Sequence, residues 1–154
     1  MAEASEQESS APTSATTVAD VMRPPVTTVG QYDHVAAAAY LMKHSGVSAL
    51  VVVDSQTDQT LGIVTEADIA HAVADGKDLN EARIHDLMTE RPTVIHPKTS
   101  VIEAARIMTN GRFRHLPVVG DDGVMGMVDI SDVCRALLDL DLSWAAGTGT
   151  AEPK

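Results

Sequence analysis

The sequence has few of the residues on which many catalytic and structural sites depend. Its 154 residues include one cysteine, one tryptophan and one phenylalanine. A lone thiol, Cys134, cannot form an intramolecular disulfide or a paired-cysteine metal site, and its apolar helical surroundings predict a small core residue. No uninterrupted apolar run approaches the ~20 residues that span a bilayer, and the N-terminus lacks a basic, apolar leader. We therefore expect a cytoplasmic protein without membrane partners.

Basic residues are also scarce, with 11 against 22 acidic ones and a formal net charge of -11. Nucleic acids and anionic membranes attract basic surfaces, so neither is an expected partner. The sequence contains no phosphate-binding glycine loop, no nucleophile elbow and no paired histidines at metal-ligand spacing. These absences predict a protein that is not an enzyme, has no catalytic residues, holds no metal and requires no cofactor.

Composition divides the chain into tails and an ordered centre. Residues 1–16 are rich in serine, threonine, glutamate and alanine, which predicts a disordered acidic tail. Residues 141–154 are predicted to form a partly disordered C-terminal extension. Between the tails we expect a first domain over 17–76, a linker over 77–83 and a second domain over 84–140.

The centre repeats itself. Placing Val18 to Val53 over Ile84 to Val119, an offset of 66, superposes identical or similar residues throughout. After the next turn the offset becomes 64, so that Gly62 meets Gly126 and Asp68 meets Asp132. A match that keeps its register over two segments predicts two copies of one structural unit.

Each copy carries the same signals for secondary structure. Val101, Ala104, Ala105 and Met108 share one face of a helix, and the first copy repeats the pattern. Ser100 and Glu103 form a capping box there, whereas the first copy offers only Asp33 or His34. Short apolar strands, a hairpin and a second helix follow, ending near Val73 and Leu138. With edge strands at 27–29 and 93–95, the order is β, α, β, β, α, twice, an α+β fold with pseudo-two-fold symmetry.

These motifs resemble the CBS (cystathionine β-synthase) domain, which occurs in pairs as the Bateman module. The resemblance rests on the openings Asp20 to Met22 and Asp86 to Met88, on 116–119, and on the endings 62–68 and 126–132. It covers roughly 17–138, and it implies a stand-alone pair of CBS domains.

The resemblance also implies a ligand and its contacts. In this family the Asp of the ending binds the two ribose hydroxyls of an adenine-type ligand, and the Ser or Thr reaches a phosphate. Asp68 with Thr65, and Asp132, would take these roles in two clefts for AMP, ADP, ATP or S-adenosylmethionine. Adenine and backbone contacts would come from Thr27, Val29, Val47, Ser48, Ala49, Thr93, Ile95, Arg112, Phe113, Arg114, His115 and Leu116.

The second copy departs from the family pattern because Asp129 replaces the hydroxyl residue. A carboxylate ~4 Å from a phosphate costs about 1 to 4 kcal/mol, depending on the local dielectric. Arg112, Arg114 and His115 could compensate, and their counterparts in the first copy are uncharged. We therefore hypothesise one competent cleft, in which Arg114 or His115 serves a phosphate held by Thr65 and Asp68.

Two simpler interpretations stand beside this hypothesis. Thr65 and Asp68 also form an ordinary helix-capping box, and the two roles can coexist. Arg114 could pair with Asp129 or another surface acid.

At the level of function, the resemblance favours a regulatory sensor that signals to an unknown effector protein and forms a homodimer. The alternative is a homodimerisation or interaction module with vestigial, ligand-free clefts.

Overall fold

The first copy of the repeat folds as the sequence predicts. The computed structural model describes residues 16–24 and 27–148, with side-chain surroundings as far as Leu140. The predicted acidic tail, apart from Thr16, and residues 149–154 therefore lie outside the described residues. After a short helix α1 (Val18–Val21), the elements are β1 (Thr28–Gly30), α2 (Val35–Ser45), β2 (Ala49–Val53), β3 (Thr60–Thr65) and α3 (Glu66–Ala74). Strand β1 runs parallel to β2, and β2 and β3 form the predicted hairpin.

The second copy repeats this plan with one difference. A 3-10 turn (Ile84–Asp86) precedes β4 (Thr89–Glu90), α4 (Val101–Gly111), β5 (His115–Gly120), β6 (Gly123–Asp129) and α5 (Ile130–Thr148). The edge strand predicted at 93–95 is reduced to a single bridge between Ile95 and Val118. In the first copy the Val51 N–H donates to the Thr27 carbonyl. The equivalent donor here would be Pro117, which has no N–H, so the ladder cannot extend.

The opening segment of each copy crosses to the other copy, a feature that the repeat alone did not predict. Strand β4 pairs antiparallel with β3 of the first copy, opposite Gly62 and Ile63. The reciprocal contact joins Arg23 to Met127 on β6. Gly62 permits this approach, because a Cβ there would lie 2.2 Å from the Thr89 carbonyl oxygen. The two copies are therefore joined by exchanged backbone as well as by packing.

The hydrophobic cores show the same exchange. One cluster is built on Leu50, Val52 and Val64 of the first copy, and its floor is Ile84 from the opening of the second. The other is built on residues of the second copy such as Leu116 and includes Val18 from the opening of the first. Each core is thus completed by the other half of the chain, which couples the two halves in folding.

The helix starts differ in how their N–H groups are satisfied. Helix α2 begins after His34 without a side-chain cap, and the N–H groups of Val35 and Ala36 donate to carbonyls of the linker, those of Ala82 and Leu79. The linker thereby replaces the missing cap of the first copy. At α4 the Ser100 hydroxyl accepts from the Glu103 N–H at 3.1 Å.

Two expectations for the C-terminal helix are wrong. Helix α5 continues to Thr148, well beyond the predicted end near Leu138, so the boundary at 140 falls inside it. Cys134 is exposed rather than buried, because the inward face of α5 carries Val133 and Ala136 and Cys134 lies about 100° away from Val133. Over the described part of the chain, no helix combines the length and apolarity needed to cross a membrane.

Candidate functional site

Two clefts open along the seam between the copies, and each draws on both halves of the chain. The first cleft joins the start of α3 in copy one to the opening segment and pre-β5 loop of copy two. The second cleft joins the start of α5 in copy two to the equivalent segments of copy one. Because the copies are related by pseudo-symmetry, corresponding positions in the two clefts can be compared directly.

The first cleft is a cavity of about 360 Å³. This volume lies within the ~300 to 1,000 Å³ of small-molecule sites. Its walls combine apolar side chains, three threonines and a basic stretch: Ile63, Thr65, Ala67, Thr89, Pro92, Thr93, Arg112, Phe113, Arg114 and His115. Six of these are residues that the sequence predicted to contact a ligand.

Thr65 and Asp68 form the helix-capping box that the simpler interpretation of this motif predicts. The Thr65 hydroxyl accepts from the Asp68 N–H at 3.2 Å, and one Asp68 carboxylate oxygen accepts from the Thr65 N–H at 2.8 Å. The same carboxylate oxygen accepts from the Thr65 hydroxyl at 3.1 Å. The other carboxylate oxygen of Asp68 has no hydrogen bond to any described residue. The cap therefore leaves an acceptor available beside the cleft, although Asp68 itself does not line the cavity.

The cations of the first cleft are not neutralised by ion pairs. Neither Arg112 nor Arg114 has a salt bridge within the described ranges, so the expected alternative partner for Arg114 is not seen there. His115 hydrogen-bonds through Nε2 to the Ser48 hydroxyl at 2.6 Å, a contact between the two copies. Burial lowers the pKa of His115, and the positive charge of Arg114 lowers it further. The negative charges of Asp129, Glu66 and Asp68 act in the opposite direction but do not outweigh burial. His115 is therefore largely neutral at pH 7.

Phe113, the only phenylalanine, supplies an aromatic surface to the first cleft. Its ring lies against Gly111, where a Cβ would stand 2.1 Å from a ring carbon. Glycine at 111 thus makes room for the ring in this position. Aromatic faces of this kind stack on planar ligands such as nucleobases.

The second cleft is constricted beside Arg23, although the start of α5 also lines a larger adjoining cavity. Its cavity is only about 40 Å³, near the size needed for one or two water molecules. The carboxylate of Asp132 is 6% exposed and is held by Arg23. The Arg23 Nε donates to the two carboxylate oxygens at 3.1 and 3.2 Å, and Nη2 lies 3.1 Å from Oδ1. The acceptor that the family pattern assigns to ribose is therefore already engaged.

Asp129 makes the second cleft unfavourable for an anion. Burial opposes ionisation of its carboxyl group, but hydrogen bonds from Ser131 and Asp132 and the charge of Arg23 outweigh burial and lower the pKa. The Ser131 hydroxyl and the Asp132 N–H both donate to the same oxygen, at 2.6 and 2.9 Å. Asp129 is thus an ionised helix cap where the first cleft has the neutral Thr65.

A third cavity of about 410 Å³ lies between the clefts, where the starts of α3 and α5 approach each other. Arg114 lines this cavity and the first cleft, and His115 lines all three cavities. Ser48 and Asp129 line it from the side of the second cleft. A phosphate extending from the first cleft would therefore meet two basic side chains and, further on, the carboxylate of Asp129.

The remaining predicted site residues divide into two groups. Thr27, Val47, Ser48 and Ala49 line the second cleft. The side chains of Val29, Ile95 and Leu116 lie instead in the hydrophobic cores, because alternate strand residues point toward the helices, and only their backbone could face a ligand. Among the described residues no group of histidine, cysteine, aspartate and glutamate side chains could hold a metal ion.

Sequence reasoning missed Arg23 and Thr89. These two residues correspond at the same offset of 66, so the repeat carried the signal that they differ. What it did not show is the crossing of the opening segments, which brings Arg23 to Asp132. The two residues are 109 positions apart in the sequence, so only the fold shows that they are in contact.

Comparison with known proteins agrees with this architecture. The model of the CBS domain matches residues 18–75 and again 84–139. The chain belongs to the CBS-domain family. A mitochondrial CBS-domain protein of Arabidopsis thaliana, CBSX3, is 40% identical over 110 residues, which are 69% of this chain and 53% of that protein. The chain thus spans about half the length of this relative.

Two solved CBS structures contain adenine compounds. CBSX2 of Arabidopsis thaliana in complex with AMP is 28% identical, with a TM-score of 0.66, and the match covers 82% of this chain and 99% of that one. The CBS pair of protein MJ0100, in complex with 5'-methylthioadenosine and S-adenosylmethionine, is 28% identical, with a TM-score of 0.72 and coverage of 79% and 99%. The fold is therefore that of a CBS-domain pair.

Proposed function

We propose that this CBS pair is a non-catalytic regulatory module that binds an adenine nucleotide, AMP, ADP or ATP, in the first cleft. One observation carries the proposal. A cavity of about 360 Å³ brings Thr65 of one copy together with Arg112, Arg114 and His115 of the other. A helix start opposite two guanidinium groups that have no salt bridge among the described residues suits a phosphate, and the Thr65 hydroxyl can donate to it by turning away from Asp68.

The other parts of the ligand find partners nearby. The free carboxylate oxygen of Asp68 can accept from ribose hydroxyls while its neighbour maintains the helix cap. Phe113 and Ile63 offer apolar surface for an adenine ring. The adenine compounds in CBSX2 and MJ0100 support this ligand class. S-adenosylmethionine is the second candidate, because its sulfonium group tolerates acidic neighbours such as Asp129.

Regulation requires that the ligand favour one conformation or assembly over another. The cores are completed across the seam by Val18 and Ile84, so a ligand in the seam can shift the packing of the two copies. The proposal therefore includes an effector protein, still unknown, that responds to this change. It also includes a homodimer and a cytoplasmic location.

The rival function is a homodimerisation or interaction module whose clefts are vestigial. The constriction of the second cleft beside Arg23 favours it, as do large apolar side chains exposed on three helices: Tyr40, Val73 and Leu138. Such side chains suit contact with another protein. The rival predicts that no adenine compound binds to either cleft.

Calorimetric titration of AMP, ADP and ATP separates the two functions. We expect the wild-type chain to bind AMP and the Asp68→Ala variant to bind it at least ~10-fold more weakly, a loss of ~1.4 kcal/mol. Because Asp68→Ala also removes a cap contact, Ser100→Ala is the matched control. It removes the cap of α4, away from both clefts, and should leave AMP affinity unchanged.

Equal affinity in Asp68→Ala would exclude the proposed ribose contact. A thermal-shift screen extends the test to S-adenosylmethionine and adenosine, since a ligand at 100 times its Kd stabilises the folded state by about 2.7 kcal/mol. A complete lack of binding and of stabilisation would favour the rival.

A further inference from the structure

Positions 23 and 89 are equivalent in the two copies and stand in equivalent places. Arg23 lies opposite Met127 on β6, and Thr89 lies opposite Ile63 on β3. Each residue is carried there by an opening segment that crosses to the other copy. Residue 23 therefore approaches the start of α5, and residue 89 approaches the start of α3.

The two residues treat the neighbouring carboxylate differently. Arg23 spans Asp132 with three contacts of 3.1 to 3.2 Å, although its own side chain is 44% exposed. The side chain of Thr89 is shorter and carries no charge, so it cannot form an equivalent ion pair with Asp68. Within the described residues, Asp68 has no cationic partner.

The cavities differ in the same sense, about 40 Å³ beside Arg23 and about 360 Å³ beside Thr89. To bind at the second cleft, a ribose would have to displace a guanidinium that contacts both oxygens of a nearly buried carboxylate. Two neutral hydroxyl donors replace such a charge-assisted contact poorly.

We propose that Arg23 is an internal occupant of the second cleft, and that the residue at this crossing position sets how many adenine-type ligands one chain binds. With arginine at 23 and threonine at 89, the number is one, and the site is the first cleft. This inference rests on the proposed function, because it counts sites for the same class of ligand.

Exchanging the two residue types tests the inference. Adenosine is the probe, because it has no phosphate for Asp129 to repel. By calorimetry we expect one adenosine per chain in the wild type and two in Arg23→Thr. Thr89→Arg should bring a guanidinium to Asp68 and weaken adenosine binding at least ~10-fold. Arg135→Thr is the matched control, since Arg135 lies 3.9 Å from the same Asp132 oxygen but lines neither cleft, and it should bind one.

Folding of each variant is checked by circular dichroism before titration. Thr89 is exposed, so Thr89→Arg decides the matter even if Arg23→Thr does not fold. Two adenosines in the wild type would overturn the inference, as would a single adenosine in a folded Arg23→Thr or unweakened binding in Thr89→Arg, and each of these results would leave the proposed function standing. If Arg23→Thr binds adenosine and the wild type does not, Arg23 occupies the second cleft as proposed, but the proposed binding site in the first cleft is excluded. If neither the wild type nor any variant binds adenosine, the inference falls, and the proposed function falls with it only if the wild type also fails to bind AMP.

Discussion

The two clefts follow the same path of the chain, and three of the corresponding positions at which they differ bear directly on the binding of a nucleotide. Thr65, Arg114 and Thr89 of the first cleft correspond to Asp129, Ser48 and Arg23 of the second. Each difference removes from the second cleft a feature that an adenine nucleotide needs: a neutral hydroxyl, a free cation or an accessible carboxylate. The repeat thus supplies the scaffold twice and the complete set of proposed ligand-binding groups once.

The hydrophobic cores, by contrast, should be equivalent, and this gives the largest expected effect. Leu50 and Leu116 are fully buried at corresponding strand positions. Leu50→Ala and Leu116→Ala should each lower the free energy of unfolding by about 3 to 4 kcal/mol, because each leaves a cavity. Urea denaturation measures both. A difference above ~2 kcal/mol between the two variants would show that the copies are unequal in their cores as well as in their clefts.

The ion pair of the second cleft should be the next largest contribution. Arg23→Met leaves the Asp132 carboxylate without its bidentate partner. We expect the free energy of unfolding to fall by about 2 to 3 kcal/mol, a value between those typical of exposed and of buried ion pairs. Thr89→Met, at the equivalent exposed position, should change stability by less than ~0.5 kcal/mol. Thermal or urea unfolding compares them, and equal stability of the two variants would contradict the structural role of Arg23.

Phosphate recognition should depend on a cation that only the first cleft has. Arg114→Ala should weaken the binding of AMP about 10-fold, or ~1.4 kcal/mol, and leave the affinity for adenosine unchanged. The control is Arg106→Ala, an exposed arginine on α4 that pairs only with Glu103 among the described residues. Calorimetry with both ligands gives the comparison. Equal weakening of AMP and adenosine by Arg114→Ala would assign Arg114 a structural role instead.

The smallest expected effect is on the pH dependence of AMP binding. Burial holds the pKa of His115 below 6.5 in the free protein. A bound phosphate favours the imidazolium and raises this pKa, so binding takes up a proton and AMP affinity should rise as the pH falls below about 7. Protonation of AMP near pH 6 opposes the trend, and we expect a gain of about 2- to 3-fold.

His115→Gln serves as the control for this effect, because the variant retains the titration of AMP but loses that of the imidazole. Its AMP affinity should fall, not rise, between pH 7.5 and 6. Identical pH profiles for the wild type and His115→Gln would place His115 outside the phosphate site.

Much of the architecture was predictable because the apolar pattern repeats. The positions of α2, α4 and both hairpins follow from spacings that only an amphipathic helix or a paired strand satisfies. Arg114 or His115 was expected beside Thr65, and both of them line the cavity that Thr65 lines.

The remaining features depend on contacts that no local pattern encodes. The crossing of the opening segments depends on close backbone approach at Gly62, and the pairing of Arg23 with Asp132 depends on that crossing. The loss of the strand at 93–95 depends on a proline more than 20 residues away, Pro117. Helix α5 extends beyond its predicted end because no glycine or proline interrupts it before Gly147.

A crystal structure of the chain grown with AMP would test the central claim most directly. The account predicts one AMP per chain, in the first cleft, with its phosphate beside Arg114 and Thr65 and with Arg23 still paired to Asp132. AMP seated in the second cleft, with that ion pair broken, would contradict it.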